Sequence, residues 1–109
     1  MVTLETVRFA PVCGVADLPV GLGRAFVVGD HSVAVFRTRG GKVFAVANEC
    51  PHRGGPLADG MLAGEQVVCP LHAFRFDPAT GACDQPSVCP VPTYPVEVVG
   101  DTVRVGVPG

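Results

Sequence analysis

The chain has 109 residues, room for one domain with a modest core and too few for two. Hydrophobic residues make up 48% and charged residues 17%, which excludes a disordered chain; 14 Gly and 11 Pro exclude a helical bundle. With a net charge of −2 and Lys42 the only lysine, there is no basic footprint for nucleic acid or an anionic membrane. No uncharged apolar run reaches the roughly 18 residues of a membrane span. The opening Met1-Val2-Thr3-Leu4-Glu5 lacks the basic and apolar regions of a secretory signal, so a cytoplasmic location is expected.

In chain order, residues 15–18 predict a helical turn closed by Pro19. Residues 25–28 and 33–37 are β-rich and flank Gly29-Asp30-His31-Ser32, a loop suited to a hairpin, with His31 expected as an exposed polar residue. Residues 42–47 form a further strand after the turn Arg39-Gly40-Gly41; Phe36, Phe44 and Val46 read as core. Near the end, residues 94–99 and 102–107 bracket Gly100-Asp101 as a second hairpin, with Val103, Val105 and Val107 on one face. The pattern predicts an all-β fold, an antiparallel β-sandwich or barrel of short strands. Residues 48–90 differ, holding four of the five Cys, two of the three His and six of the eleven Pro. That stretch reads as an insertion on the β scaffold, ordered by something other than a large core of its own.

Five cysteines in a reducing compartment make a poor disulfide framework. Two boxes stand out instead: Cys50-Pro51-His52 and Cys69-Pro70-Leu71-His72, with sixteen residues between His52 and Cys69. Each offers a thiolate and an imidazole from a Pro-stiffened loop, and Gly54, Gly55, Gly60 and Gly64 let the backbone bend closely around a central object. A zinc site is the first alternative for two Cys and two His. The C-x-H box is tighter than zinc spacings usually are, and no finger-like helix follows the second box. Cys13 reads as a small buried hydrophobe. Cys83 and Cys89 lie six apart around Pro86; a bridge is conceivable, and the compartment favours free thiols.

C-x-H, sixteen residues and C-x-x-H on a β-rich chain resemble the Rieske iron–sulfur family. The flanks match too: Arg53-Gly54-Gly55-Pro56-Leu57 after the first box and Phe76-Asp77-Pro78-Ala79-Thr80-Gly81 after the second. The resemblance covers nearly the whole chain. It implies a Rieske-type 2Fe–2S cluster with Cys50 and Cys69 on one iron and His52 and His72 on the other. It also implies residues 1–109 as a single Rieske domain, with the cluster-binding part at about 48–82. His52 and His72 would lie at an exposed tip ringed by Arg53, Pro56 and Leu57.

Respiratory members of the family carry two further cysteines that clamp the loops; the corresponding positions here are Gly55 and Leu71. Hydroxyl donors to the cluster are replaced by Phe74 and Phe76, which lowers the expected reduction potential. The chain has no second metal motif, dinucleotide loop or nucleophile–base pair, so electron transfer without catalysis of its own is expected. A flavin-containing reductase would supply one electron and a terminal oxidoreductase would receive it. The small subunit of assimilatory NAD(P)H nitrite reductase comes first, on the likeness at Gly21-Leu22-Gly23-Arg24, residues 33–37 and Thr93-Tyr94-Pro95-Val96. The alternative is the ferredoxin component of a ring-hydroxylating dioxygenase system. A non-redox, metal-stapled interaction subunit is the third reading.

Overall fold

Turn residues every few positions cut the apolar sequence into short strands, of which the described residues form ten, assembled into three antiparallel sheets. The computed structural model describes residues 7–49, 56–69, 75–84 and 90–108. In chain order the strands are β1 (Val7–Gly14), β2 (Gly23–Val28), β3 (His31–Arg37), β4 (Val43–Ala47), β5 (Met61–Ala63), β6 (Gln66–Val68), β7 (Arg75–Phe76), β8 (Thr93–Tyr94), β9 (Val96–Val99) and β10 (Thr102–Pro108). Two 3-10 turns, Val15–Asp17 and Leu57–Asp59, are the only helical elements among the described residues. The sheets run β1-β10-β9, β2-β3-β4-β8 and β5-β6-β7. The predicted all-β antiparallel class is what forms.

The four-stranded sheet is the middle layer, and β3 shows why. Val33, Ala34, Val35 and Phe36 are all 0% exposed. Because side chains alternate across a strand, Val33 and Val35 enter one core with Leu18, Val28, Ala45, Val103, Val105 and Val107. Ala34 and Phe36 enter the other, with Val46, Leu57, Ala58, Val67, Cys69, Phe76 and Val91. A strand buried on both faces carries a continuous apolar run, as this one does. The alternation predicted for Val103, Val105 and Val107 holds, and that face closes the first core.

Several local expectations change. The β2–β3 loop is only Gly29-Asp30, since Val28 pairs with His31; Gly29 sits at φ +59°, as a two-residue hairpin turn requires. His31 is therefore the first residue of β3 and half-buried. Its Nδ1 lies 3.3 Å from the Tyr94 hydroxyl, with the rings edge-on at 5.7 Å. Residues 94–99 are not one strand. Pro95 cannot donate to a ladder, and at that point the chain leaves the middle sheet (β8 on β4) for the outer one (β9 on β10). Phe44 is half-buried rather than core and lines a surface cleft with Tyr94, Val96 and Pro78. Strand β1 tolerates Pro11 because it is an edge strand whose register shifts by a bulge between Pro11 and Cys13.

The middle stretch departs most from expectation. It does have a core: Leu57, Val67 and Phe76 are fully buried against Phe36 and Val46. At about 1.5–3 kcal/mol for each large apolar side chain buried, this part of the chain has apolar order of its own beside any metal.

Candidate metal centre

Of the four candidate ligands, Cys69 is described; Cys50, His52 and His72 lie outside the described residues, as do Arg53, Gly54, Gly55, Leu71, Phe74, Pro86 and Cys89. Among the described residues no group of three metal-ligating side chains converges. The frame that holds the two boxes is well defined, however, and it places the ends of both loops.

The second box follows β6. Cys69 comes directly after Val68 and is 1% exposed within the second core. Strand β7 returns on the far side of the box, pairing Val68 with Arg75 and Val67 with Phe76. The residues on either side of the second box are thus tied by an antiparallel backbone ladder. Arg75 is held again from outside: its N–H donates to Asp84 Oδ1 at 3.1 Å, and Asp84 N–H donates to Arg75 O at 2.9 Å. The motif Asp77–Gly81 behind it is a compact turn. Gly81 N–H donates to Asp77 O, and the Asp77 carboxylate accepts from Ala79 N–H at 2.9 Å. Cys83 bridges Phe76 and is half-buried beside the same core.

The first box follows β4. Ala47 N–H donates to Pro92 O, and Asn48 N–H donates to Ser32 O at 3.0 Å. Beyond the box the chain re-enters at exposed Pro56 and forms the turn Leu57–Asp59. Pro56 is the N-cap of this turn and has no side-chain acceptor to offer. The Ala58 N–H that a cap would satisfy donates instead to Asn48 Oδ1, at 2.8 Å, from ten residues away. Asn48 Nδ2 reaches Ser32 Oγ at 3.4 Å. Among the described residues, the two sides of the first box are therefore joined by the Asn48 side chain.

Two glycines let this frame close. A Cβ on Gly23 would lie 2.6 Å from Ala58 O and 2.7 Å from the Phe36 ring, so β2 seats the Leu57–Asp59 turn only because residue 23 is glycine. A Cβ on Gly60 would run into the Val68 carbonyl, which brings the end of the first loop against the start of the second. Leu57, expected on the exposed rim, is 0% exposed; it anchors the loop from below.

The chemistry fits a metal cluster. Cys69 sets a soft sulfur donor at the edge of the second core, beside Val67, Leu57 and Phe76, and the other three candidate donors, Cys50, His52 and His72, come from the same two boxes of the sequence. Phe76, fully buried, has no hydroxyl to donate. Between residues 48 and 84 the sequence has five carboxylates against two arginines, and Glu49, Asp59, Glu65, Asp77 and Asp84 are all exposed. One of them, Glu65, is paired with Lys42 at 3.9 Å. Elsewhere, burial pushes the Cys13 thiol above its ordinary range, helped by Asp17 and opposed by Arg24; Cys13 packs half-buried against the first core, close to its expected role.

Residues 8–95 match the Rieske 2Fe–2S domain family. The ferredoxin component of the naphthalene 1,2-dioxygenase system of Pseudomonas aeruginosa is 31% identical over 101 residues, 92% of this chain and 96% of that one. The ferredoxin of carbazole 1,9a-dioxygenase from Nocardioides aromaticivorans IC177 superposes with a TM-score of 0.81 at 36% identity, covering 89% of this chain and 95% of the other. A Mycobacterium tuberculosis chain assigned as the small subunit of an NADH-dependent nitrite reductase superposes with a TM-score of 0.89 at 27% identity, covering 96% and 99%.

Proposed function

Because the chain belongs to the Rieske 2Fe–2S domain family, we propose that it is the ferredoxin component of a ring-hydroxylating oxygenase system. Its cofactor is a Rieske-type 2Fe–2S cluster, and its class is that of the electron-transfer ferredoxins. In this reading Cys50 and Cys69 ligate one iron and His52 and His72 the other. When bound, the cluster takes up and releases one electron. The chain's own residues fix the described ends of the two boxes and bury Cys69. A flavin-containing reductase donates and a terminal oxygenase accepts. Residues 1–109 act as one domain, since β3 is shared by both cores. The cytoplasmic location belongs to the same proposal; no helix among the described residues is long and apolar enough to cross a membrane.

The observation that carries the oxygenase reading is the identity of 31–36% to dioxygenase ferredoxins over about nine-tenths of both chains. This reverses the order expected from sequence, where the nitrite reductase subunit stood first. The segments behind that order serve the fold: Gly23 seats Ala58, residues 33–36 form the shared strand, and Pro95 moves the chain between sheets. Such residues do not distinguish electron acceptors. The TM-score of 0.89 keeps the nitrite reductase subunit as the second reading.

The test is reconstitution. The purified protein, reduced by a flavin reductase with NADH, is combined with either a ring-hydroxylating oxygenase or the large subunit of an assimilatory nitrite reductase. Substrate-dependent oxygen uptake supports the proposal; nitrite consumption in its place overturns it. The midpoint potential is a further check. With no hydroxyl at Phe76 it is expected near the low end of the Rieske range, about −150 mV, and flat from about pH 6 to 8. Film voltammetry giving a value above about +100 mV would show that other donors replace the missing hydroxyls.

A further inference from the structure

Among the described residues flanking the first box, one side chain, Asn48, makes a hydrogen bond from one side of the box to the other. We propose that Asn48 is a positioning residue for the metal centre: by capping Ala58 from across the loop, it holds the Cys50–His52 segment in the geometry that binds and retains the cluster. The inference rests on the ligand assignment above.

Three observations converge on it. The turn Leu57–Asp59 begins at Pro56, which supplies no cap, so the buried Ala58 N–H depends on Asn48 Oδ1 at 2.8 Å. Asn48 is itself fixed by its backbone, through the 3.0 Å bond from its N–H to Ser32 O in β3. Ala58 is pressed from the other side by Gly23 of β2, so the acceptor cannot be replaced by a shift of the turn toward the sheet. Residues 48 and 58, which flank the first box, are thereby pinned to the middle sheet and to each other. The residues flanking the second box are tied instead by the backbone ladder at Val68–Arg75.

Cluster retention tests this, read as the decay of the visible spectrum in a ferrous chelator, together with the EPR signature of the reduced protein. Asn48→Ala leaves the Ala58 N–H buried without an acceptor. Loss is expected about tenfold faster than in the wild type, the factor that corresponds to 1.4 kcal/mol for such a bond, with altered EPR g-values. Asn48→Asp keeps the acceptor and should restore retention and g-values, although its new charge lowers the potential. Ser32→Ala removes only the 3.4 Å contact and should behave as wild type. Wild-type retention and g-values in Asn48→Ala would overturn the proposal. So would faster cluster loss in Asn48→Ala that Asn48→Asp does not rescue. Cys50→Ser separates the two readings: a cluster that survives it breaks the ligand assignment, whereas loss in Cys50→Ser without change in Asn48→Ala breaks this inference alone. If Asn48→Ala fails to fold, the spectrum and retention of Asn48→Asp against Asn48→Gln, whose longer side chain misplaces the acceptor, decide the matter in the same way.

Discussion

The two boxes are held from different sheets by different means. The second lies between β6 and β7, which are tied by the backbone ladder where Val68 pairs with Arg75. Among the described residues, the hydrogen bond that joins the two sides of the first comes from the Asn48 side chain. A backbone ladder survives almost any substitution, whereas a side-chain bond can be lost by one. The two boxes of the proposed site therefore differ in the robustness of their supports, and the weaker support is that of the first.

The largest effect should come from breaking both loops at once. Cys69→Ser removes the buried thiol shared with the second core, and the purified protein is expected to lose the visible absorption of the cluster entirely. Cys13→Ser, on the far side of β3, should keep it. An intact spectrum in the Cys69 variant would separate the buried thiol from the site.

Next in size is Gly23→Ala. The added methyl meets Ala58 O and the Phe36 ring, so both the seat of the first loop and the second core are disturbed. A loss of about 1–3 kcal/mol in urea unfolding is expected, accompanied by faster cluster loss. An unchanged urea midpoint would mean that the turn has room to move.

Removing the cluster sharpens the comparison more gently. The buried Leu57, Val67 and Phe76 should keep β5–β7 folded, so the apo protein retains its β circular dichroism. Limited proteolysis with mass spectrometry is expected to cut within 49–55 before 70–74. Cleavage at both at equal rates would erase the distinction between the supports.

The smallest effect lies in the other core. Burial raises the Tyr94 pKa above its ordinary value of 10.0. The stabilisation associated with its neutral form is therefore complete below about pH 10 and is lost as pH rises through the folded-state value. Urea midpoints from pH 8 to 11 should fall less steeply in Tyr94→Phe than in the wild type. An equal fall would assign the alkaline loss to other groups.

Strong local patterns made much of this legible. The runs at residues 25–28, 33–37 and 102–107 are rich in β-branched residues and became β2, β3 and β10 with small changes at their ends. The paired boxes pointed to the cofactor because Cys and His at such spacing have few other uses. The second core was hidden, since Leu57, Val67, Phe76 and Val91 are single apolar residues between turns and no period connects them. Pro95 hid a change of sheet inside an apparently continuous strand. Asn48 gave the faintest signal: a lone Asn before the first box, informative only beside Pro56, a cap position with nothing to cap with.

One strand also has a consequence for how the chain finds its register. Because β3 faces two cores of different bulk, sliding it by one residue would exchange their contents. Phe36 would be driven among Val103 and Val105, while Val35 and Arg37 would face the pocket that Phe36 fills between Val46 and Phe76. One compartment would be overfilled and the other left with a void and a charge. A sheet covered on one side can hide a slip by exposing a hydrophobe to water. A partition wall has no such outlet, so the molecule's most apolar segment is also the one with the least freedom to mispair.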